Sequence, residues 1–425
     1  MPKVVKAHQS YQDPGSSPST SALGPLRLFL GAFGDPGHAF PMLALGSALA
    51  RRGHAVTFET WERWRPHAEA AGLAFVPAPE FPVFPTDSGP LKPYEAVVRA
   101  ARHTRPHVAA ARPHAVVADI LTLGPALAGE LEDVPVATLI PHVHPHLPPG
   151  SPPYSFGARP PRTALGRRLW SATDSLVMRG LEHGKLDLNS ARARLGLDPV
   201  DRVHGGLSER LCLVGTFPQL EYPREWPDWT HVVGPLLWEP PFEEVEPPPG
   251  DEPLVLIAPS TAQDRSHRLL RAALAGLDGE PVRVLATWNR RSVGRPLRVP
   301  PNARLVEWIS YARTMPHCAV VVCHVGHGTM VRALASGAAV VACPVAGDMS
   351  ENAARLDWAG AGVRLPWRFA TPRGIWLAVR RALAEPAVTR RAGELAAWAR
   401  EHDGAERAAD LVEQLGATRQ VASRR

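Results

Sequence analysis

The chain has 425 residues, is 45% hydrophobic and 21% charged, and carries a formal net charge of +6. Its arginines are scattered rather than blocked, which argues against a nucleic-acid-binding stripe, and no apolar run reaches the ~18–20 residues that span a bilayer. The four cysteines, Cys212, Cys318, Cys323 and Cys343, lack C-x-x-C spacing, and none of the histidines falls in H-x-x-x-H or H-E-x-x-H spacing on a convincing helix. No disulfide frame and no metal site are therefore expected.

Residues 1–24 are polar with no apolar h-region and read as a disordered lead-in rather than a signal peptide. A cytoplasmic location is the expectation. Leu26–Gly31 is a first buried strand, followed by G-A-F-G-D-P-G-H-A-F-P and a helix over Met42–Arg52. His54–Glu59 is the next strand, Trp61–Ala71 a helix and Leu73–Val76 a strand, the spacing of right-handed parallel crossovers. Pro77–Pro93, rich in Pro and Phe, reads as a functional loop. Helix Tyr94–Ala111, a strand from Ala115 ending at Asp119, helix Thr122–Glu132 and strand Pro135–Ile140 continue the alternation. A Pro- and His-rich loop over His142–Pro161 precedes a mostly helical Arg162–Leu195, and Leu211–Val214 and His231–Val233 close a half spanning 25–238.

The acidic, proline-dense run 239–253 reads as a linker. A second half, 254–400, restarts with strand Leu254–Ala258, helix Asp264–Leu277, strands Val282–Ala286 and Arg304–Glu307, and helix Tyr311–His317. Then comes C-H-V-G-H-G-T-M, in which Val320–Cys323 is a buried strand and Thr329–Ser336 a helix. Strand Ala338–Cys343 follows, and Asp348 or Ser350 is a candidate cap for the helix after it. Helices over Thr371–Ala384 and Val388–Leu415 finish the chain, with 401–425 long enough to cross back to the first half. The fold class is α/β: two Rossmann-like parallel-sheet domains facing across a cleft.

A glycine-rich turn opening a helix aims unpaired N–H groups and the positive end of the helix dipole at one point, where a phosphate fits. Gly326, Gly328 and Thr329 supply that turn, with His324 beside it. Glycines alone equally suit an ordinary strand–helix turn. The whole pattern, H-x-G-x-G-T over His324–Thr329 and then P-x-x-G-D-x-x-x-N-A over 344–353, resembles the nucleotide-sugar signature of family 1 glycosyltransferases, including actinobacterial natural-product enzymes. The resemblance implies the GT-B fold, inversion at the sugar carbon, and no cofactor beyond a UDP-sugar or dTDP-sugar co-substrate. With the alternation of strands and helices it covers almost the whole chain past residue 25.

Residue by residue, the resemblance makes His38, in G-H-x-x-P, a general base and Asp119 its partner; read alone, these would be a loop or capping histidine and a helix N-cap. On the donor side it assigns His324 to the diphosphate, Ser260 or Thr261 to the opposite phosphate wall, Trp308 to base stacking and Asp348 to sugar hydroxyls. The chain departs from the pattern in four places. Pro259 precedes Ser260 in place of glycine, so that loop's backbone must differ. Met349 follows Asp348 where glutamine is usual, Arg332 stands where a ribose-gripping glutamate is common, and Ser310-Tyr311 replaces the usual Pro-Gln after Trp308. These last three depart from a standard UDP-glucose site and are compatible with a dTDP-sugar. Acceptor contacts are expected from Phe33, Trp61, Trp64, Phe81, Phe84, His142 and His144, whose aromatic character fits a small hydrophobic acceptor such as a polyketide, macrolide or phenolic. The expected partners are thus donor and acceptor, in a monomer or homodimer. A GT-B-like epimerase, a lipid-acceptor transferase and a catalytically silent nucleotide-sugar-binding protein are the alternatives.

Overall fold

A computed structural model describes residues 24–80, 93–242, 244–260, 264, 266–290, 293–294, 296–345 and 347–422. Among the described residues thirteen strands fall into two all-parallel sheets. In the first half the elements are β1 (Arg27–Gly31), α1 (Pro36–Arg51), β2 (Ala55–Thr60), α2 (Arg65–Ala70), β3 (Ala74–Pro77), α3 (Pro93–Ala111), β4 (Ala115–Asp119), α4 (Leu123–Leu131), β5 (Val136–Ile140), α5 (Ala164–Ser171), α6 (Asp174–Leu195), β6 (Cys212–Val214) and β7 (Thr230–Val232). In the second they are β8 (Leu254–Ala258), α7 (Arg268–Gly276), β9 (Arg283–Thr287), β10 (Ala303–Val306), α8 (Tyr311–Thr314), β11 (Val320–Cys323), α9 (His327–Ala335), β12 (Ala339–Ala342), α10 (Asp348–Ala359), β13 (Gly362–Arg364), α11 (Pro372–Ala384), α12 (Pro386–Glu401) and α13 (Gly404–Ala422).

The strand orders are β3-β2-β1-β4-β5-β6-β7 and β10-β9-β8-β11-β12-β13. Each order reverses once, between β1 and β4 and between β8 and β11. Crossovers leave those two gaps in opposite directions, so a crevice opens at the carboxyl ends of the strands there. The central strands read as unbroken apolar runs because helices cover both faces: every residue of β8 and of β11 is buried. Helices come close to the sheet where side chains are small. A Cβ at Gly31 would lie 2.3 Å from Pro125, so β1 meets α4 only through glycine.

The structure departs from the sequence expectations at five places. α1 begins at Pro36, six residues before the expected Met42, because Asp35 and Pro36 start the helix and Pro41 is accommodated within its second turn. His38 therefore stands on a helix, not in a loop. Neither Asp348 nor Ser350 caps α10; Gly347 takes the N-cap position with a φ of 61°, and Asp348 is the first helical residue. β13 is an additional strand of three residues at the edge of the second sheet. The expected helix over Val388–Leu415 is two helices, broken at His402–Asp403, where the Asp403 carboxylate accepts the N–H of Ala405 at 2.8 Å. Finally, His103 and His107 do stand four residues apart on α3, with ring centroids 5.3 Å apart, although no group of three metal-ligating side chains occurs among the described residues.

After the break, α13 crosses to the first half. Ala405, Ala408, Ala409, Leu411 and Val412 enter the core around β1 and α1. Arg52 bonds Glu406 and Asp410 at 2.7 and 2.8 Å, and His54 Nε2 lies 2.8 Å from Glu413. In the other direction Phe217 and Leu220, which follow β6, sit in the core of the second half. Each half thus lends a segment to the core of the other, which docks the two halves together. No helix among the described residues is long and apolar enough to cross a membrane.

Candidate active site

His38 and Asp119 flank the first switch point: Asp119 ends β4, and His38 is in the opening turn of α1, just past β1. Their contact is short, His38 Nδ1 to Asp119 Oδ1 at 2.8 Å, and the carboxylate is fully buried while the imidazole is 15% exposed. The second oxygen, Oδ2, accepts the N–H of Phe33 at 3.3 Å. A carboxylate facing Nδ1 fixes the proton there and leaves the Nε2 lone pair free. Burial works to lower the affinity of His38 for a proton. The Asp119 charge and hydrogen bond, helped by Asp35 and Asp348, outweigh it and hold the pKa above 6.5. Asp348 belongs to the other half, and the His142 ring of this half lies 6.5 Å from the His327 ring of that one, so both walls face one space.

Aromatic side chains border that space. Phe33 meets the His38 ring edge-on at 6.1 Å and Trp61 at 5.0 Å. A Cβ at Gly34 would lie 2.1 Å from the Trp61 ring, so this packing requires glycine. Trp64 is engaged elsewhere, donating its indole N–H to the Gly34 carbonyl at 2.7 Å and packing on Phe40. The His142 ring lies 6.1 Å from His38; its Nδ1 donates to the Val143 carbonyl at 2.8 Å, and burial lowers its pKa, keeping it neutral. His144 has a different setting from the expected acceptor contact. It is buried, its Nδ1 accepts the His146 N–H at 3.1 Å, its own N–H goes to Glu221 at 2.6 Å, and Trp226 covers it at 5.4 Å. Burial first, and then nearby Arg224, push its pKa down to about 3. Phe81 and Phe84 lie outside the described residues.

Across the cleft, the second switch point brings the ends of β8 and β11 together. Gly326 is the N-cap of α9, and Gly328 and Thr329 lie in its first turn. Among the described residues nothing stands within 4 Å of a Cβ built on Gly326, Gly328 or Gly347, so these leave the space before the helix terminus open. Val325, just before it, holds a φ of 62°, a left-handed conformation that a β-branched residue adopts only under constraint. The buried Asn352 side chain supplies the constraint by donating to the Val325 carbonyl at 3.0 Å. Asp348, exposed at the start of α10, and Met349 beside it complete this rim.

His324 is not at the open rim. Its ring is buried beneath the turn after β8; Ser260 N–H donates to Nδ1 at 2.8 Å, and Nε2 lies 3.5 Å from Asp264 Oδ2. Burial opposes charge on Asp264, but the His324 hydrogen bond and the N–H groups of Leu269 and Arg268 outweigh it and hold the carboxyl well below its ordinary range. His324 thus orients Ser260 and Asp264. Thr261 lies outside the described residues. Trp308, half-buried, packs on Phe242 at 5.4 Å with the Arg290 guanidinium over it at 5.4 Å. Arg332 donates to the Trp238 carbonyl at 2.8 Å, and its Nε is 3.8 Å from Glu239. Glu239 is itself engaged by the Ala312 N–H at 3.2 Å and the Ser310 hydroxyl.

Three features escaped the sequence. His327, an unspecified position within the H-x-G-x-G-T pattern, is buried and bonds Thr216 Oγ1 at 2.9 Å. Arg355, wholly buried, ties Glu351 at 2.8 Å to Glu221 at 2.6 Å, joining α10 to the segment after β6. Tyr154 lies near enough to Asp348 and Glu351 for their charges, after burial, to raise its pKa. Only His327 left a sequence signal, as a bulky polar residue in a glycine-rich turn.

Two parallel sheets with opposed switch points, a base pair on one and an open helix-terminus nest on the other, define a glycosyltransferase of the GT-B fold. The comparisons agree. Residues 268–414 match the C-terminal domain of the erythromycin biosynthesis protein CIII-like family. The chain is 29% identical to 4'-demethylrebeccamycin synthase of Lentzea aerocolonigenes, over 89% of this chain and 97% of that one. It is also 29% identical to O-mycaminosyltylonolide 6-deoxyallosyltransferase of Streptomyces fradiae, over 93% and 99%. Among solved structures, the spinosyn forosaminyltransferase SpnP superposes with a TM-score of 0.73 at 16% identity, covering 93% of this chain and all of that one. The glycosyltransferase VinC does so with a TM-score of 0.66 at 17% identity, over 92% and 100%. The protein is a glycosyltransferase of the antibiotic and natural-product type, similar to actinobacterial enzymes of that kind.

Proposed function

We propose that the protein transfers a sugar, with inversion, from a thymidine or uridine diphosphate donor to a hydroxyl of a small hydrophobic acceptor. The observation that carries this reading is the His38–Asp119 contact at 2.8 Å, set opposite the open N-terminus of α9. His38 Nε2 takes the acceptor O–H proton while the acceptor oxygen bonds to the anomeric carbon. The anomeric C–O bond breaks, and its electron pair leaves on the diphosphate. Asp119 stabilises the imidazolium that forms. The N–H groups and dipole of α9 face the departing charge. Asp348 orients sugar hydroxyls, Phe33, Trp61 and His142 border the acceptor, and Trp308 stacks on the base. His324 acts beneath the nest by holding Ser260.

Thymidine diphosphate is the favoured donor base. At position 332 the guanidinium is occupied by the Trp238 carbonyl, and the neighbouring carboxylate of Glu239 is already engaged by Ser310 and Ala312, so position 332 supplies a cation rather than a carboxylate for a ribose diol. VinC was solved in complex with dTDP, which supports the same reading. Thermal-shift titration with dTDP, UDP, GDP and ADP tests it, since a ligand of the native state raises Tm by mass action. dTDP is expected to give the largest shift. A larger shift with UDP would overturn the base assignment. Wild-type turnover by His38→Ala would overturn the mechanism.

A further inference from the structure

The second residue of the glycine-rich turn that faces protein is not a glycine but His327, and its partners belong to the other half of the molecule. Its ring is buried, 7% exposed, at the first position of α9. Nε2 lies 2.9 Å from the hydroxyl of Thr216, two residues past β6. The carbonyl of Pro141, directly after β5, accepts the other ring nitrogen's proton. β5 and β6 are neighbours in the first sheet, and Gly215 N–H bonds the Ile140 carbonyl at 2.7 Å, so the two partners form one rigid edge. The His327 ring also lies 6.5 Å from His142, which in turn lies 6.1 Å from His38. The helix that forms the nest is therefore pinned, at its own first residue, to the sheet that carries the base.

We infer that His327 is a positioning residue that registers the donor nest against His38 and so sets the distance between acceptor oxygen and anomeric carbon. The inference rests on the proposed roles of the nest and of His38. Both hydrogen bonds of the ring are satisfied within protein: one nitrogen donates to Pro141, the other accepts from Thr216. No lone pair or proton is left for a ligand, which separates this role from direct phosphate binding. Burial drives its pKa down to about 3, so the neutral form that needs one donor and one acceptor persists through the working pH range. Near-attack geometry is sensitive at the scale of 1 Å, where misplacement costs on the order of 100-fold in rate. Other contacts also join the halves, notably Arg355 with Glu221 and α13 with Arg52, so losing this one need not separate them.

The test compares His327→Ala, Thr216→Val and His327→Gln in the full chain, with dTDP as binding probe and dTDP-glucose plus 4-methylumbelliferone as substrates. Thr216→Val keeps volume and removes only the hydroxyl. His327→Ala and Thr216→Val are expected to lower kcat about 10- to 100-fold, with dTDP Kd near wild type and Tm lowered only by the cost of the buried groups left unpaired, and His327→Gln to recover part of the loss. The pH at which turnover rises should not move, since His38 is untouched. Spin labels on Glu69→Cys and Arg381→Cys report the register without turnover, the four native cysteines being buried. Their distance distribution should broaden in both variants. Weakened dTDP binding would instead place His327 on the phosphate and overturn the inference. So would unchanged kcat with unchanged label distances. A His38→Ala variant retaining turnover would sink the base assignment, while a broadened distance distribution would still support the peg.

Discussion

Asp119→Asn isolates what the carboxylate does for the base. In the structure Asp119 makes two contacts, 2.8 Å to His38 Nδ1 and 3.3 Å from the Phe33 N–H. Asparagine keeps the shape and can still accept from Phe33. Toward His38, however, it can present an N–H, which selects the tautomer whose Nε2 is protonated and cannot act as a base. It also removes the charge that stabilises the imidazolium. General-base catalysis contributes about 10²–10⁴-fold, so kcat is expected to fall by that factor, about 3–5 kcal/mol of transition-state stabilisation. A second signature has a definite sign. Turnover requires neutral His38 and so rises with pH through its pKa, which lies above 6.5 in the wild type because Asp119 outweighs burial. With Asp119 neutralised, burial is left largely unopposed, and the rising limb should move to lower pH even as the plateau drops. Initial rates of nucleoside diphosphate release from pH 5 to 9 measure both. A variant with near wild-type kcat, or an unshifted limb, would refute the dyad.

Two further predictions concern stability. Arg355→Ala leaves Glu221 and Glu351 buried without their cation, and breaking such a pair costs about 3–5 kcal/mol; urea unfolding that changed by less than about 1 kcal/mol would show the network to be dispensable. Glu59 is 2% exposed, its carboxyl group accepts the Thr104 hydroxyl at 2.7 Å and no other hydrogen bond among the described residues, and burial pushes its pKa up to about 7 from 4.5. The folded state therefore binds this proton more tightly than the unfolded one, and stability falls as pH rises from about 4.5 to 7, by about 3 kcal/mol at most. Glu59→Gln should flatten that slope and raise Tm at pH 8; a variant less stable than wild type at pH 8 would contradict the account.

Much of the fold was legible because its causes are local. Strands buried on both faces must be apolar at every position, which is why Val320–Cys323 and Leu254–Ala258 carry the same bounds in sequence and structure. Helix ends were less legible. The sequence 388–415 keeps one hydrophobic period, yet the chain must turn at Asp403 for α13 to reach the first half. β13 has only three residues, too few to show a pattern, and exists because β12 offers an edge to pair with.

The glycine-rich turn was legible because a nest is made by consecutive residues, whereas the start of α1 at Pro36, which puts His38 on a helix, was not. Partnership across the chain was decided by tertiary structure. His38 meets Asp119 across 81 residues, His327 meets Thr216 across 111, and Arg355 meets Glu221 across 134. His324 shows the same limit at shorter range. Its residue type suited a phosphate ligand; packing beside β8 gives Nδ1 the Ser260 N–H, while Nε2 lies 3.5 Å from Asp264 and makes no closer hydrogen bond among the described residues. A residue's chemical capacity is set by its side chain. Which group uses that capacity depends on what the fold brings within 3 Å, and that is settled only when the two sheets are docked.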